Sequence, residues 1–161
     1  MSNTADYQLV RNSSVGSELH EDDAKQLAAI LGVRQLQDNE LLVSEGGADQ
    51  TLFLLASGKL AVISVDAKGK ENPVYTMKEG ECAGTRAFVD QAPRKATLRA
   101  RGNATVYTLT PDAFESLVNA HPRLAYKVMR ALFRITHTNL MRMNQESQEM
   151  ANYIQKSQGR Y

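Results

Sequence analysis

Residues 80–101 combine glycines, an arginine behind a proline and an excess of positive charge, which together suit the binding of a phosphate group. A glycine such as Gly84 lets backbone N–H groups approach a phosphate, and a short helix that begins there adds the positive end of its dipole. Arg94 follows the turn residue Pro93, and its planar guanidinium could meet two phosphate oxygens, which a lysine cannot imitate. Taken alone, an arginine after a turn proline is more often a solvated surface cation.

Positive charge dominates the second part of this stretch. Between residues 86 and 101, five cations stand against the single acid Asp90; they are Arg86, Arg94, Lys95, Arg99 and Arg101. The last two alternate with the apolar residues Leu98 and Ala100, so we interpret them as a solvated strand face.

The remaining composition argues against catalysis and against a large polyanionic partner. The chain has 161 residues, of which 42% are hydrophobic, and a net charge of +1, which suits one domain with a real core and leaves no global field for nucleic acid. The three histidines (His20, His121 and His137) lie outside residues 33–110, where strands are predicted, and Cys82 has no histidine near it in sequence. We therefore expect no metal site and no enzyme, and we interpret Cys82 as a small buried hydrophobe.

Residues 80–100, called the cassette below, resemble the phosphate-binding cassette of the cyclic nucleotide-binding domain family. The family pattern is approximately G-E-x-F-G-E-x-A-L, four variable residues and P-R-x-A-T-V-x-A. The positions that match in register are Gly80, Glu81, Gly84, Ala87, Pro93, Arg94, Ala96, Thr97 and Ala100. This family includes the effector domains of catabolite-activator-type bacterial regulators and the regulatory subunits of cAMP-dependent kinases.

The resemblance implies both a fold and a site. The fold is mainly β, a double-stranded β-helix (a jelly-roll-like β-roll) with a short N-terminal helix and a long C-terminal dimerisation helix. In the family the cassette arginine binds the cyclic phosphate, a role that falls on Arg94. The implied ligand-binding residues are Gly84, Thr85, Arg86, Ala87, Arg94, Lys95 and Thr97 of the cassette, with Thr138 and Asn139 on the long helix. The last two could equally form a solvent-facing polar pair.

The cassette departs from the family pattern at two neighbouring positions. Thr85 stands where the family has the glutamate that accepts a hydrogen bond from the ribose 2′-hydroxyl. Loss of such a charge-assisted bond, worth roughly 1.5 to 3 kcal/mol, lowers affinity about ten- to a hundredfold. Glu81 could replace that glutamate only if the cassette were shifted by four residues. Arg86 is either a solvated cation or an inward neighbour of Arg94 that fits the site to a more anionic ligand, such as a cyclic dinucleotide or a phosphorylated metabolite.

The periodicity of the chain predicts the elements that would position this cassette. A helix is expected from Glu21 to a stop at Gly32, and a second one after the cap Thr110 and Pro111. Between them, residues 33–110 alternate apolar and polar side chains, with turn signals every 8 to 12 residues or so, as in an antiparallel β-roll. These turn signals include Ser57-Gly58 and Gly102-Asn103.

From Pro122 the chain predicts a long helix with two apolar faces, because no proline or glycine follows until after Ser157. The first face, able to dock on the β-roll, comprises Leu124, Val128, Leu132 and Ile135. The second, called the seam below, alternates steps of three and four; it comprises Tyr126, Met129, Phe133, Thr136, Leu140, Met143, Ser147, Met150 and Ile154. This spacing favours a homodimer that forms through the helix. The alternative is that the end of the helix frays and has no partner.

We expect three regions: an N-terminal segment (1–17) that is a flexible tail or an arm laid over the domain, a cyclic nucleotide-binding-like domain (18–139) and a coiled-coil-like extension (140–161). The N-terminus lacks a signal-peptide pattern, no apolar stretch is long enough for a membrane span, and four residues after Ser157 leave no room for a DNA-binding module. We expect a cytoplasmic regulatory domain with no cofactor that senses cAMP, cGMP, cyclic di-GMP or a related phosphorylated ligand and signals through its dimer helix or a protein partner. The alternative is a degenerate domain that binds no nucleotide and serves as a dimeric interaction module.

Overall fold

The computed structural model describes residues 3–158, in which helices from both ends of the chain pack together on an antiparallel sheet. The strands are β1 (Gly32–Leu36), β2 (Leu41–Val43), β3 (Leu52–Val65), β4 (Glu71–Met77), β5 (Cys82–Ala83) and β6 (Thr97–Leu109). The helices are α1 (Tyr7–Arg11), α2 (Glu21–Ile30), α3 (Thr85–Asp90), α4 (Pro111–Ala120) and α5 (Pro122–Gln158). The expected β-roll with a leading helix and a long closing helix is confirmed.

Two long strands, β3 and β6, form the centre of the sheet, whose order is β1-β6-β3-β4. β2 also pairs with β6, and β5 with β3. The expected turns at Ser57-Gly58 and Gly102-Asn103 are wrong, because both pairs lie inside these strands, where the β3–β6 register shifts around Ser57. Gly58 and Gly102 have positive φ angles (88° and 76°), which allow the backbone to depart from regular strand geometry at these points. A departure of this kind bends a strand. The bent pair therefore presents one part of β6 to β1 and another to β2.

The apolar core has two parts. The first lies within the roll and comprises Leu36, Leu42, Phe53, Leu55, Leu60, Met77, Leu98, Ala100, Ala104 and Val106. The second joins the other side chains of β3 and β6 to the helices, and its largest members on α5 are Leu124, Val128 and Leu132. The helices are thus held to the roll by burial of apolar surface, the main stabilising contribution in such a domain.

Helix α5 docks on the domain through its first half only. Leu124, Val128 and Leu132 are at most 2% exposed, and Ile135 is half-buried against the same core. From residue 136 to residue 158 every side chain is exposed. At 1.5 Å per residue, its 37 residues make a rod of about 55 Å. No helix within residues 3–158 combines the length and apolarity that crossing a bilayer requires.

Residues 3–17 form an arm packed on the domain rather than a flexible tail. Val10 is fully buried and Val15 is 5% exposed, both in the cluster shared with α5. The Tyr107 hydroxyl accepts a hydrogen bond from the Asp6 backbone N–H (3.0 Å), and the Gly80 carbonyl accepts one from the Ser14 backbone N–H (2.9 Å). The arm therefore touches the first residue of the cassette.

A partly buried ion pair joins α2 to α5. The Lys127 ammonium donates to the Asp23 carboxylate (2.7 Å), and both side chains are less than a quarter exposed. This hydrogen bond is the main reason that the pKa of Asp23 lies below its ordinary value, and the bond from the His20 backbone N–H adds to it. Asp23 thereby stabilises the fold when it is ionised.

We expect Asp23→Asn to lower the free energy of unfolding by about 1 to 2 kcal/mol at pH 7, because Lys127 and the start of α2 lose a charged acceptor. A carboxyl group with a lowered folded-state pKa stabilises above its unfolded pKa and loses that contribution as the pH falls through the folded value. The difference between wild type and variant should therefore be constant from about pH 5 to 7 and shrink below about pH 4. Urea denaturation as a function of pH measures it. Asp22→Asn, an exposed neighbour, is the matched control and should change stability by less than about 0.5 kcal/mol.

Candidate functional site

The cassette borders a cleft of about 920 Å³ between the roll and α5. Apolar side chains from β2, β3, β4 and β6 line one part of it: Val43, Val62, Val74, Met77 and Leu98. The cassette supplies a second part, α5 a third, and Ser14 and Ser17 of the N-terminal arm complete it. A mainly apolar concavity with a few convergent polar groups is the usual form of a small-molecule site.

Gly84 shapes the backbone between β5 and α3. Its φ of 86° lies in the left-handed region that favours glycine. A Cβ atom at this position would collide with Nη1 of Arg94 and stand 3.1 Å from the Thr51 carbonyl oxygen. Glycine is therefore required both for the turn and for the close approach of the arginine.

Arg94 is held in place by the loop between β2 and β3. Its side chain is only 4% exposed, and its Nη2 donates to the Thr51 carbonyl (2.6 Å) and to Oδ2 of Asp49 (2.9 Å). The guanidinium carbon lies 4.9 Å from the centroid of the Phe53 ring. Backbone hydrogen bonds in both directions join Arg94 to Gly46 and Gly47. The arginine predicted to bind phosphate is thus a buried, fixed cation and not a solvated one.

Two donors of this guanidinium lack an acceptor. Nε and Nη1 of Arg94 are buried, and neither forms a hydrogen bond with any residue between 3 and 158. A buried donor without a partner costs about 1 to 3 kcal/mol, and more when it belongs to a charged group. The site is therefore built around an incompletely satisfied cation.

Asp49 is the counter-ion of Arg94 in this structure. Partial burial raises the pKa of its carboxyl group, but hydrogen bonds from Thr51 and Arg94 outweigh that effect, so the pKa lies below its usual value. The Asp49 side chain is 55% exposed, so water solvates the carboxylate as well. This acid was not singled out by sequence analysis, since it lies 45 residues from Arg94 and outside any motif.

The other cassette residues that we predicted take different places. Thr85 and Ala87 line the cleft, the first half-buried and the second buried, and Lys95 lines it as an exposed side chain. Arg86 also lines the cleft but is exposed, so the interpretation in which it turns inward beside Arg94 is wrong. Ala87 and Phe88 are the buried residues of α3, and Arg86 lies on the exposed part of this helix, where it borders the cleft.

Thr97 lies outside the cleft lining. It is 5% exposed, and its hydroxyl accepts a hydrogen bond from the Glu45 backbone N–H (3.0 Å). It therefore braces the loop that leads to Asp49. The cations Arg99 and Arg101 are also outside, bonded to Glu71 and Asn39 as expected of a solvated strand face.

Helix α5 contributes a polar face that includes both predicted residues. Thr138 and Asn139 line the cleft as exposed side chains. Arg134 and Arg142, which we did not predict, line it as well. Their spacing of four residues on either side of Thr138 puts all three on one helix face, so the helical period could have revealed them.

Glu81 lies in the cleft, but its carboxylate already has a hydrogen-bonding partner in the protein. The Tyr75 hydroxyl lies 2.7 and 2.8 Å from its two carboxylate oxygens, an interaction that raises the pKa of Tyr75. The guanidinium carbon of Arg142 stands 5.2 Å from the centroid of the same tyrosine ring. Tyr75 thus links the far part of α5 to the start of the cassette.

Other side chains of reactive or metal-binding type include Cys82 and the three histidines. Burial raises the pKa of the Cys82 thiol to about 11, so it is almost wholly protonated at neutral pH. Residues 3–158 contain no cluster of three or more side chains suited to a metal ion. His137 stacks on Phe133, and His20 and His121 stand at helix ends.

We expect Gly84→Ala to lower the free energy of unfolding by at least about 2 kcal/mol, because the new methyl group adds a collision with Arg94 to the strain of a left-handed alanine. Gly69→Ala is the matched control, since Gly69 has a similar φ of 80° and nothing within 4 Å of the added Cβ. It should lose only the strain, about 1 kcal/mol. Equal losses in urea denaturation would show that the contact with Arg94 is unimportant.

A model of the cyclic nucleotide-binding domain matches residues 33–121, more than half of the chain. Among curated proteins, a cAMP-dependent protein kinase regulatory subunit of Yarrowia lipolytica is 30% identical over 102 residues, which cover 63% of this chain and 26% of that protein. Neuropathy target esterase sws of Drosophila virilis is 28% identical over 144 residues, covering 80% of this chain and 10% of that protein. The chain thus spans about a quarter of the first relative and a tenth of the second, and the second is named as an enzyme.

Solved structures share the fold. A cyclic nucleotide-binding domain from Methylobacillus flagellatus superimposes with a TM-score of 0.79 at 18% identity, covering 84% of this chain and 79% of that one. The catabolite activator protein of Thermus thermophilus gives 0.71 at 20% identity, with coverages of 84% and 63%. The regulatory domain of Toxoplasma gondii PKA with cAMP gives 0.61 at 24% identity, with coverages of 68% and 42%.

Proposed function

Because the chain belongs to the cyclic nucleotide-binding domain family, we propose that its cleft binds a cyclic nucleotide or a related phosphorylated ligand and that it acts as a non-catalytic regulatory domain. The observation that carries this proposal is the buried guanidinium of Arg94, whose Nε and Nη1 have no acceptor within residues 3–158. A buried cation is costly unless an anion accepts its hydrogen bonds. A phosphate group supplies two oxygens in the geometry of the guanidinium fork.

Binding exchanges one anion for another at Arg94. Both unpaired nitrogens are closed to solvent, so the guanidinium must turn toward the cleft to meet a phosphate. Such a turn draws Nη2 away from Asp49, which is half-exposed and can be solvated by water instead. Gly84 keeps a side chain away from this place, since Nη1 of Arg94 fills the space that a Cβ atom would take.

The first ligands to consider are cAMP and cGMP. A solved relative is described with cAMP, and cassette residues 80–100 keep the phosphate-binding part of the family pattern. Thr85 cannot supply a carboxylate to the ribose, and Glu81 is engaged by Tyr75. We therefore expect affinity for cAMP about ten- to a hundredfold below that of a domain with the glutamate.

Signalling would pass through α5 in a homodimer. The seam is exposed along the helix, with Phe133 at 72%, Leu140 at 53% and Met150 at 61%, and a second copy of the same helix would bury it. Since Thr138 and Asn139 belong both to α5 and to the cleft, a ligand that prefers one arrangement of α5 shifts the dimer toward it. Residues 18–139 then act as the sensing domain and the helix beyond them as the output.

A second candidate function is supported by Thr85 and the exposed seam: a dimeric interaction module that binds no nucleotide. Calorimetric titration of the purified chain with cAMP, cGMP and cyclic di-GMP distinguishes the two, with 5′-AMP as the non-cyclic control. We expect a dissociation constant of about 10 μM or lower for at least one cyclic ligand, and a rise in Tm at saturation. No heat with any of the three contradicts ligand sensing and favours the interaction module.

A further inference from the structure

We propose that the cleft contains a second anion subsite at Arg142 and that its ligand carries two phosphate groups, as a cyclic dinucleotide does. This inference rests on the proposed function, because it takes Arg94 as the first phosphate position. It identifies the class of ligand and assigns a role to the part of α5 beyond the docked face.

The charges that line the cleft are strongly unbalanced. The lining has one acid, Glu81, and five cations, which are Arg86, Arg94, Lys95, Arg134 and Arg142. Arg94 is paired with Asp49 and Arg134 with Glu18, whereas the other three cations form no ion pair within residues 3–158. The acid is partly screened, since the Tyr75 hydroxyl lies within hydrogen-bonding distance of both carboxylate oxygens. A concave site of one sign focuses its field and attracts counter-ions, so this lining favours a ligand with more than one negative charge.

Arg94 and Arg142 are held at different parts of the cleft. Arg94 is anchored at the start of β3, on Thr51 and Phe53. Arg142 is placed over Tyr75 of β4, which pairs with Val62 near the opposite end of β3. Because the two guanidinium groups are held against different strands, they suit two phosphate groups of one ligand better than a single phosphate.

Of the two α5 arginines that line the cleft, Arg142 is the one without an ion pair. Arg134 forms an ion pair with Glu18 (3.0 Å), so its charge is partly compensated by the protein. Arg142 is exposed, stands over the Tyr75 ring and interacts with the Tyr75 hydroxyl, but it forms no ion pair with a carboxylate within residues 3–158. A guanidinium has five N–H donors, so donors remain for phosphate oxygens. The absence of a carboxylate at Thr85 removes a charge that would repel such a ligand.

The size of the cleft agrees with this ligand class. Small-molecule sites span about 300 to 1,000 Å³, and a volume of about 920 Å³ stands near the top of that range. A cyclic mononucleotide fills only part of such a space, whereas two nucleotides joined in a ring extend from the cassette toward α5.

Two matched ligand pairs test the proposal: cAMP with cyclic di-AMP, and cGMP with cyclic di-GMP. Within a pair the base is the same and the number of phosphates differs. Titrations use the wild-type chain, Arg142→Ala, and Arg123→Ala as a control that removes one exposed cation of α5 outside the cleft lining. Because Arg142 is exposed, its loss should leave the Tm nearly unchanged.

In at least one pair, we expect the cyclic dinucleotide to bind the wild type at least tenfold more tightly than its mononucleotide. Arg142→Ala should weaken the dinucleotide at least tenfold and the mononucleotide less than threefold, while Arg123→Ala changes neither. Mononucleotides that bind as tightly as their dinucleotides in both pairs overturn the inference, as does an equal loss of both ligands in Arg142→Ala. Either result leaves Arg94-dependent sensing of a cyclic mononucleotide standing, whereas no binding of any of the four ligands overturns the proposed function as well.

Discussion

Arg94→Ala is expected to weaken the cyclic nucleotide that binds the wild-type chain by at least about a hundredfold. A guanidinium that meets two phosphate oxygens forms two charge-assisted hydrogen bonds, each worth about 1.5 to 3 kcal/mol. Their joint loss of about 3 to 6 kcal/mol corresponds to a factor of about 10² to 10⁴ in affinity. Calorimetric titration or competition with a fluorescent ligand measures this change directly.

The same substitution has opposing effects on stability. Removing Nε and Nη1 relieves the cost of two buried donors without acceptors, but the Thr51 carbonyl loses the hydrogen bond from Nη2, and a side chain that is only 4% exposed leaves a cavity beside Phe53. We expect the second effect to be larger, so that Arg94→Ala lowers the free energy of unfolding by about 1 to 3 kcal/mol in urea. Binding is therefore compared at a temperature at which urea denaturation shows both proteins to be folded.

Two further variants sharpen this prediction. Arg94→Lys keeps the charge but not the planar fork, so it should recover only part of the affinity. Arg101→Ala, which removes an exposed arginine of β6 outside the cleft, should bind as the wild type does. Ligand binding that survives in Arg94→Ala would place the phosphate elsewhere and contradict the proposed site.

Phe133→Glu is expected to convert a dimer into a monomer. Phe133 is 72% exposed in the first half of the seam, between Met129 and Thr136. In a two-fold dimer through α5, the substitution introduces two carboxylates into an apolar interface, where burying an unpaired charge costs several kcal/mol. The dimer dissociation constant should rise by at least about a hundredfold. Light scattering after size-exclusion chromatography measures the mass at several concentrations.

Gln145→Glu is the matched control for that experiment. It adds the same charge at an exposed position of α5 that lies outside the seam. The control should remain dimeric, and both variants should keep the unfolding midpoint of the domain because neither residue is buried. A wild-type chain that is monomeric at all concentrations would contradict the dimer and leave α5 without a partner copy.

Several features of the site follow from local sequence. The glycine at position 84 predicts the turn and the short helix that begins there, because both depend on backbone conformations of a few neighbouring residues. The role of Arg94 at a phosphate is what the family resemblance implies, and it stays a prediction. The steps between Leu124, Val128 and Leu132 likewise predict the buried face of α5, since helical period alone puts them together. The glycines were less informative. Gly58 and Gly102 were predicted to form turns, but both are irregular points inside long strands, because the pairing of β3 with β6 determines the backbone conformation there.

The amino-acid sequence by itself therefore determined the family, the β-roll between α2 and α4, and the long helix α5, and it singled out the arginine that we propose for phosphate binding. Tertiary structure decided the environment of that residue: its burial, its contact with Asp49 and the two donors left without acceptors. It also decided that Arg142 of α5 faces the same cleft as the cassette. These properties depend on the bend of β3 and β6 and on the docking of α5, which join residues more than forty positions apart, and contacts between such distant residues have no local pattern from which to predict them.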